Sequence, residues 1–274
     1  MKNISLVKKL LLGVVSVMSI IAGAFYATAA RSVLSIPYVS IPDTLPITKK
    51  KNTADTFFTI YLTFDDGPVK ESEELIRIAT QDSTPINVFI VGEKVFANDT
   101  MKKLFHSYFN NPFIEIGNHS FTHANKKYQQ YYKSAERVLE DFKLNADTLH
   151  LTKKIARLPG RNTWRIDNRF RTDLIDANAA ADSLAAKGYS VFGWDLEWRY
   201  CSDSSLEVQT AGLMIKEVED FFRNKKTFMP NNIIILAHDP MFGSRNNLQQ
   251  LELFIKLIKR QKNYHFGRLD IYPQ

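Results

Sequence analysis

Thr63-Phe64-Asp65-Asp66-Gly67-Pro68 sets two adjacent carboxylates at the end of an apolar run. The preceding residues, Phe57-Phe58-Thr59-Ile60-Tyr61-Leu62, are aromatic and β-branched, the composition of a buried strand. Gly67-Pro68 stops that strand and forces a turn. Strand ends that face a cleft are where α/β enzymes place their chemistry. Neighbours on an extended segment point to opposite sides, which leaves one acid to hold a metal and the other to face a water. A solvated Asp-Asp-Gly turn would read the same in isolation, so the rest of the chain has to discriminate.

Outward from this strand, β-like and α-like segments alternate. Helices are expected over Glu71–Thr80, Tyr128–Leu149, Asp173–Lys187, Leu206–Phe222 and Leu248–Gln261. Strands are expected over Pro85–Val91, Phe113–Ile116, Ile155–Leu158, Tyr189–Trp194 and Asn232–Ala237. Repeated β-then-α order implies an α/β fold with a parallel sheet and helices outside, open or closed into a barrel.

Composition bounds the rest. The chain has 274 residues, 45% of them hydrophobic, enough for one domain plus an N-terminal extra. Residues 1–30 read as a signal peptide or N-terminal anchor: Lys2, Lys8 and Lys9 precede an apolar run from Leu10 to Phe25, and Ala27-Thr28-Ala29 fits a cleavage site. The expectation is therefore an exported protein, periplasmic or secreted, or tethered to the membrane if the segment is kept. Residues 31–55, with Pro37, Pro42, Pro46 and Lys49-Lys50-Lys51, read as a linker, and residues 56–274 as the folded domain. Cys201 is the single cysteine, so neither an intrachain disulfide nor a thiolate metal site is available. The formal charge of +7 includes the three leader lysines and leaves +4 afterwards. That is compatible with an anionic cell-surface polymer and too weak for a nucleic-acid binder.

Titratable residues end strand after strand. His119 and His123, four residues apart, follow Phe113–Ile116, and with Asp66 they make a two-histidine, one-carboxylate set with positions left over for water and substrate. His238 follows Ile233–Ala237, Asp195 follows Val191–Trp194, and Arg157 precedes Pro159. Arg161, Arg165, Arg169 and Arg171 form a basic cluster better read as a solvated face or internal ion pairs than as a ligand site. Tyr128, Tyr131 and Tyr132 fit helix packing as well as sugar stacking.

With these residues in place the chain resembles the polysaccharide deacetylases, the NodB-homology domain of carbohydrate esterase family 4, from about Thr56 to the C-terminus. Thr63–Pro68 and His119-Ser120-Phe121-Thr122-His123 match the first two family motifs. Arg157-Leu158-Pro159 opens the third, Asp195 with Trp198 marks the fourth, and Leu236-Ala237-His238 the fifth. The resemblance implies a distorted (β/α)7-type barrel. It implies hydrolysis of N-acetyl groups from an extracytoplasmic glycan, with a divalent metal, Zn2+ first and Co2+, Ni2+ or Fe2+ as alternatives, on Asp66, His119 and His123. Asp65 would be the base, paired with Arg157; His238 would be the acid, oriented by Asp195. Pro159, Gly160 and Trp198 would meet the substrate. Two departures stand out. The family has an aromatic residue where this chain has Gly160, and Asp195-Leu196-Glu197-Trp198 is one residue shorter than the usual fourth motif. Other readings are a deformylase of a lipid-linked amino sugar and an inactive carbohydrate-binding module.

Overall fold

The computed structural model describes residues 56–201 and 206–273. The leader and linker segments expected over 1–55 lie outside the described residues. Among the described residues no helix is long and apolar enough to cross a membrane.

The expected strands assemble in one sheet. Seven parallel strands run side by side in the order β7 (Ser190–Val191), β4 (Ile155–Ala156), β3 (Ile114–Asn118), β2 (Ile86–Ile90), β1 (Phe58–Gly67), β9 (Asn232–His238) and β8 (Leu196–Glu197). This is the α/β half-barrel of the (β/α)7 type. An antiparallel hairpin, β5 (Thr163–Ile166) and β6 (Arg169–Thr172), extends the sheet beyond β7. The short β10 (Tyr264–Phe266) pairs with the start of β1 on the edge that β2 occupies further along.

Strand periodicity explains the two layers of core. On β1, Ile60, Leu62 and Phe64 face outward into a cluster with Ile233, Ile235 and Ala237 of β9. The helices α1 (Ser72–Gln81), α7 (Ala211–Arg223) and α8 (Arg245–Lys259) cover that cluster with Leu75, Ile78, Met214, Val218, Phe254 and Ile258. The alternate residues Tyr61 and Ile234 face the barrel interior with Phe89, Trp164, Phe192 and Tyr272. By the same alternation Thr63 and Asp65 of β1 and His238 of β9 belong to the interior side, and Asp65 stands opposite His238 in register.

Several elements depart from the sequence reading. The long helix expected over Tyr128–Leu149 is two, α4 (Tyr128–Tyr131) and α5 (Ala135–Leu149). Ser134 separates them as an extended N-cap whose side chain accepts from the Arg137 N–H. The helices α2 (Gly92–Val95) and α3 (Asp99–Phe109) and the β5–β6 hairpin were not expected. Asp173–Lys187 resolves into a 3-10 turn, Ile175–Ala177, and α6 (Asn178–Ala186).

Candidate active site

The two acids of β1 do not diverge as extended neighbours would. Asp66 has φ 72°, in the left-handed region, and the β1–β2 register shifts between Asp65 and Gly67. This bulge turns Asp66 back, so that both carboxylates approach one imidazole: His119 Nε2 lies 3.6 Å from Asp65 Oδ2 and 3.7 Å from Asp66 Oδ1. The turn also needs a glycine at 67, where a Cβ would lie 2.7 Å from an oxygen of the buried Asp239.

His119 and His123 are carried by a loop with its own scaffold. Asn118, at the end of β3, donates to the Phe142 carbonyl (2.8 Å) and accepts from the Ser120 N–H (2.9 Å) and from Asn145 Nδ2 (2.8 Å). Ser120 Oγ accepts from the His123 N–H at 3.0 Å. His123 through Lys126 all have positive φ, a left-handed turn rather than a helical one, and it brings His123 Nε2 to 3.0 Å from Asp66 Oδ1. Left-handed residues other than glycine cost free energy and persist only where their surroundings hold them. Here Thr122 is also clamped by Asp141, to which its N–H and hydroxyl both donate.

The cluster fits a divalent cation. One ligand atom each from Asp66, His119 and His123 lies within 4.8 Å of the others. Asp66 Oδ1 is buried without a hydrogen-bond donor. His119 Nδ1 is engaged by the Arg157 carbonyl at 2.8 Å, which leaves Nε2 as the free donor atom facing the carboxylates. Burial pulls the His119 pKa down to about 4 against the opposing charges of Asp65 and Asp66, so the imidazole is neutral and ready to ligate. Burial would raise Asp66, but the facing imidazoles of His123 and His119 and the Lys94 ammonium outweigh it and hold this carboxyl well below its ordinary value.

Asp65 is fixed from behind by Arg157, which donates from Nη1 to Asp65 Oδ1 (2.8 Å) and Thr63 Oγ1 (2.7 Å). The same guanidinium donates to the carbonyls of Phe192 (3.1 Å) and Gly193 (2.8 Å) and stacks over Phe89, 4.2 Å from its centroid. Arg157 thus ties β1 to the segment after β7 and leaves Asp65 Oδ2 directed at the metal cluster.

Beyond the triad the expected residues divide. His238 is half-buried at the end of β9. Asp195 is not brought to it: its carboxylate accepts from the Phe228 N–H (2.7 Å) and the Ile234 N–H (3.0 Å), with Arg171 Nη2 at 3.5 Å. Among the described residues no hydrogen bond or ion pair joins Asp195 to His238. Burial raises Asp195 to about 6 despite those bonds. Pro159 is buried, its carbonyl held by the Tyr132 hydroxyl at 2.7 Å, whereas Gly160 is exposed with φ 63°.

Trp198 corrects the sequence reading. It is 1% exposed, donates from Nε1 to the Gln209 carbonyl (2.9 Å) and packs edge-on against Phe242 and Phe254 in the outer core. The shortened fourth motif explains this, because removing one residue from an extended segment moves the next side chain to the opposite face.

The arginine cluster is spent internally. Arg161 pairs with Asp176 (2.7 Å), Arg165 with Asp182 (2.5 Å), and Arg171 donates to the Trp194 carbonyl (2.9 Å). Sequence reasoning missed Asp239, a buried carboxylate that accepts from Ser72 Oγ (2.5 Å) and Tyr108 Oη (2.6 Å) beneath Gly67. It follows His238 directly, at the end of the most apolar strand of the chain, and that position was its only signal. Asn118 and Asn145 were missed as well; nothing in their spacing announces them.

A family model for polysaccharide deacetylase matches residues 52–165, which hold the acid pair, both histidines and Arg157. A chitin disaccharide deacetylase of Vibrio alginolyticus is 22% identical across 80% of this chain and 72% of its own length. A peptidoglycan-N-acetylglucosamine deacetylase of Bacillus cereus is 27% identical across 51% of this chain, a match that spans about half (47%) of that protein. Among solved structures, the catalytic domain of a peptidoglycan N-acetylglucosamine deacetylase from Eubacterium rectale shares the fold with TM-score 0.57 and 18% identity, over 84% of this chain and 97% of that domain. The acid pair and both histidines of this chain lie inside the matched segment and meet at one site, so over these residues the chain is similar to the polysaccharide deacetylases.

Proposed function

We propose that this protein is a metal-dependent hydrolase that removes the N-acetyl group from an amino sugar of an extracytoplasmic glycan and releases acetate. The observation that carries this reading is the buried Arg157–Asp65 pair set against the Asp66, His119 and His123 cluster. A base of fixed orientation beside a site for a Lewis acid is what amide hydrolysis requires. The names of the relatives support the substrate class: one is a deacetylase of chitin disaccharide, the other of peptidoglycan N-acetylglucosamine.

Asp66, His119 and His123 would hold the ion, and the donor set favours zinc, with cobalt, nickel or iron as alternatives. A cation held there supplies polarisation of the acyl carbonyl and activation of a water. Asp65 takes the proton of the attacking water through Oδ2, because Oδ1 is occupied by Arg157. The Gly160 carbonyl accepts from Arg161 Nη1 (3.0 Å), and its N–H is the group it offers to the developing oxyanion. His238, level with Asp65 across the sheet, donates a proton to the departing amine. Asp195 braces β9 through the Ile234 N–H instead of orienting His238. The apolar leader over residues 1–30 supports export, as a cleaved signal or a membrane tether. A lipid-linked substrate draws its support from the possible N-terminal anchor and the arginine cluster, and all four of those arginine side chains are engaged within the protein.

The test is acetate release by the full chain from N-acetylglucosamine oligomers and cell-wall glycan, zinc-loaded and chelator-treated. Metal-dependent acetate is expected. Its absence from zinc-loaded protein, or formate from a formylated amino sugar in its place, would overturn the reading.

A further inference from the structure

Gly160 has no side chain to wall the site, and the Tyr128 ring stands against it instead. A Cβ on residue 160 would lie 3.2 Å from Tyr128 Cε1 and 3.3 Å from its Cζ. The φ of 63° at this position independently disfavours any side chain. The backbone here is shaped to receive the Tyr128 ring.

That ring is held at the mouth of the metal cluster. It meets the His123 imidazole edge-on at 5.8 Å between centroids, with the rings 82° apart. The Arg161 guanidinium stands 5.6 Å from its centroid and is itself fixed by Asp176 and by the Gly160 carbonyl. Its neighbours anchor the segment: the Tyr131 hydroxyl donates to Asp141 at 2.8 Å and the Tyr132 hydroxyl to the Pro159 carbonyl at 2.7 Å. Those two tyrosines are the structural members of the trio. Tyr128 is half-buried, one side on Gly160 and its edge on a metal-cluster histidine. Aromatic rings in this situation stack on the apolar C–H face of a sugar with little loss of side-chain freedom.

We propose that Tyr128 is the substrate-stacking wall of the cleft, supplied from α4 in place of the side chain that residue 160 lacks, and that it positions the sugar carrying the acyl group. The proposal rests on the deacetylase reading above.

The experiment compares the zinc-loaded full chain with Tyr128→Phe and Tyr128→Leu on two substrates. One is an N-acetylglucosamine tetramer; the other is p-nitrophenyl acetate, an acetyl donor with no sugar ring. Tyr128→Leu should lower kcat/KM on the tetramer about tenfold, mostly through KM, because a stacking contact of this kind is lost. It should leave the ester reaction and the zinc content unchanged, and Tyr128→Phe should match wild type on both. Equal losses on both substrates, no loss on either, or a Tyr128→Phe variant as impaired as Tyr128→Leu would overturn the assignment. If Tyr128→Leu does not fold, Tyr128→Gln at this half-exposed position carries the same expectation. A wild type that cleaves neither substrate overturns the deacetylase reading and this assignment with it. An active wild type with an unaffected Tyr128→Leu overturns this assignment alone.

Discussion

Arg157 Nη1 and Asp65 Oδ1 meet at 2.8 Å, with Arg157 fully out of solvent and Asp65 at 3% exposure. A buried pair of this kind contributes little relative to an apolar substitute, but removing one partner strands the other charge. Arg157→Met should therefore destabilise the fold by about 3–5 kcal/mol in urea denaturation and abolish turnover. Arg157→Lys should fall nearly as far in activity, since an ammonium cannot reproduce the fork that reaches Thr63, Asp65, Phe192 and Gly193 together. A loss below about 1 kcal/mol for the methionine variant would mean that the pair does not hold these strands together.

Base and ligand roles separate by metal content. Asp65→Asn should keep zinc and lose about 10²–10⁴ in kcat, the usual worth of a positioned base. His123→Ala, which takes away the imidazole 3.0 Å from Asp66, should lose zinc and activity together. Chelation of the wild type should lower its stability by the binding term, about 4 kcal/mol at zinc a thousandfold above Kd. Zinc analysis beside the rate decides it: an Asp65→Asn protein stripped of metal would reassign that carboxylate as a ligand.

What could be read in the sequence was what repeats with a period or ends a strand. The apolar alternation of Phe58–Phe64 and the continuous apolar run Ile233–Ala237 announce the two central strands, and the residues just past them, Asp65, Asp66 and His238, mark the cleft. The geometry of the acid pair was not legible, because it depends on a left-handed Asp66 and a bulge that tertiary packing imposes. β6 escaped notice because its residues Arg169–Thr172 are exposed or half-exposed and carry no apolar stripe. α3 escaped because only Phe105 and Tyr108 are buried on it, although its N-cap Asn98, which accepts from the Met101 N–H, was there to be seen. Asp195 and His238 each end a predicted strand, yet end-of-strand position says nothing of whether two side chains meet.

Asp195 tests that last point directly. Its oxygens serve the N–H groups of Phe228 and Ile234, and an amide at this position can accept only one of them. Asp195→Asn should cost about 1–3 kcal/mol in stability, the penalty for a buried donor left without its acceptor. The pH profile of kcat should keep its limbs where wild type has them. A moved limb would tie Asp195 to the proton donor after all.

Asp239 links stability to pH in the reverse of the usual carboxylate sense. Burial raises its pKa to about 6, against the Ser72 and Tyr108 hydrogen bonds that lower it. The folded state therefore holds this proton more tightly than the unfolded chain, whose carboxyl titrates near 3.8. The stabilisation is complete below about pH 4 and is lost as pH rises through about 6, some 3 kcal/mol in all. Asp239→Asn should lack this component, so the urea-derived stability of metal-free wild type minus that of the variant should fall between pH 4 and 7. A flat difference would show that Asp239 is no more protonated folded than unfolded.

Trp198 gives the sharpest contrast between the family pattern and this chain. Its ring lies among Phe242 and Phe254 behind the sheet, with the indole N–H on the Gln209 carbonyl. Trp198→Ala should cost about 3–5 kcal/mol in stability, as large-to-small changes in a packed core do. Trp198→Phe, which keeps most of the volume, should fold and retain the wild-type KM for an N-acetylglucosamine oligomer within about twofold, less than the 1.4 kcal/mol that a tenfold change represents. A KM raised tenfold in Trp198→Phe with stability intact would return this side chain to the cleft, and with it the view that the shortened fourth motif keeps its tryptophan on the substrate side.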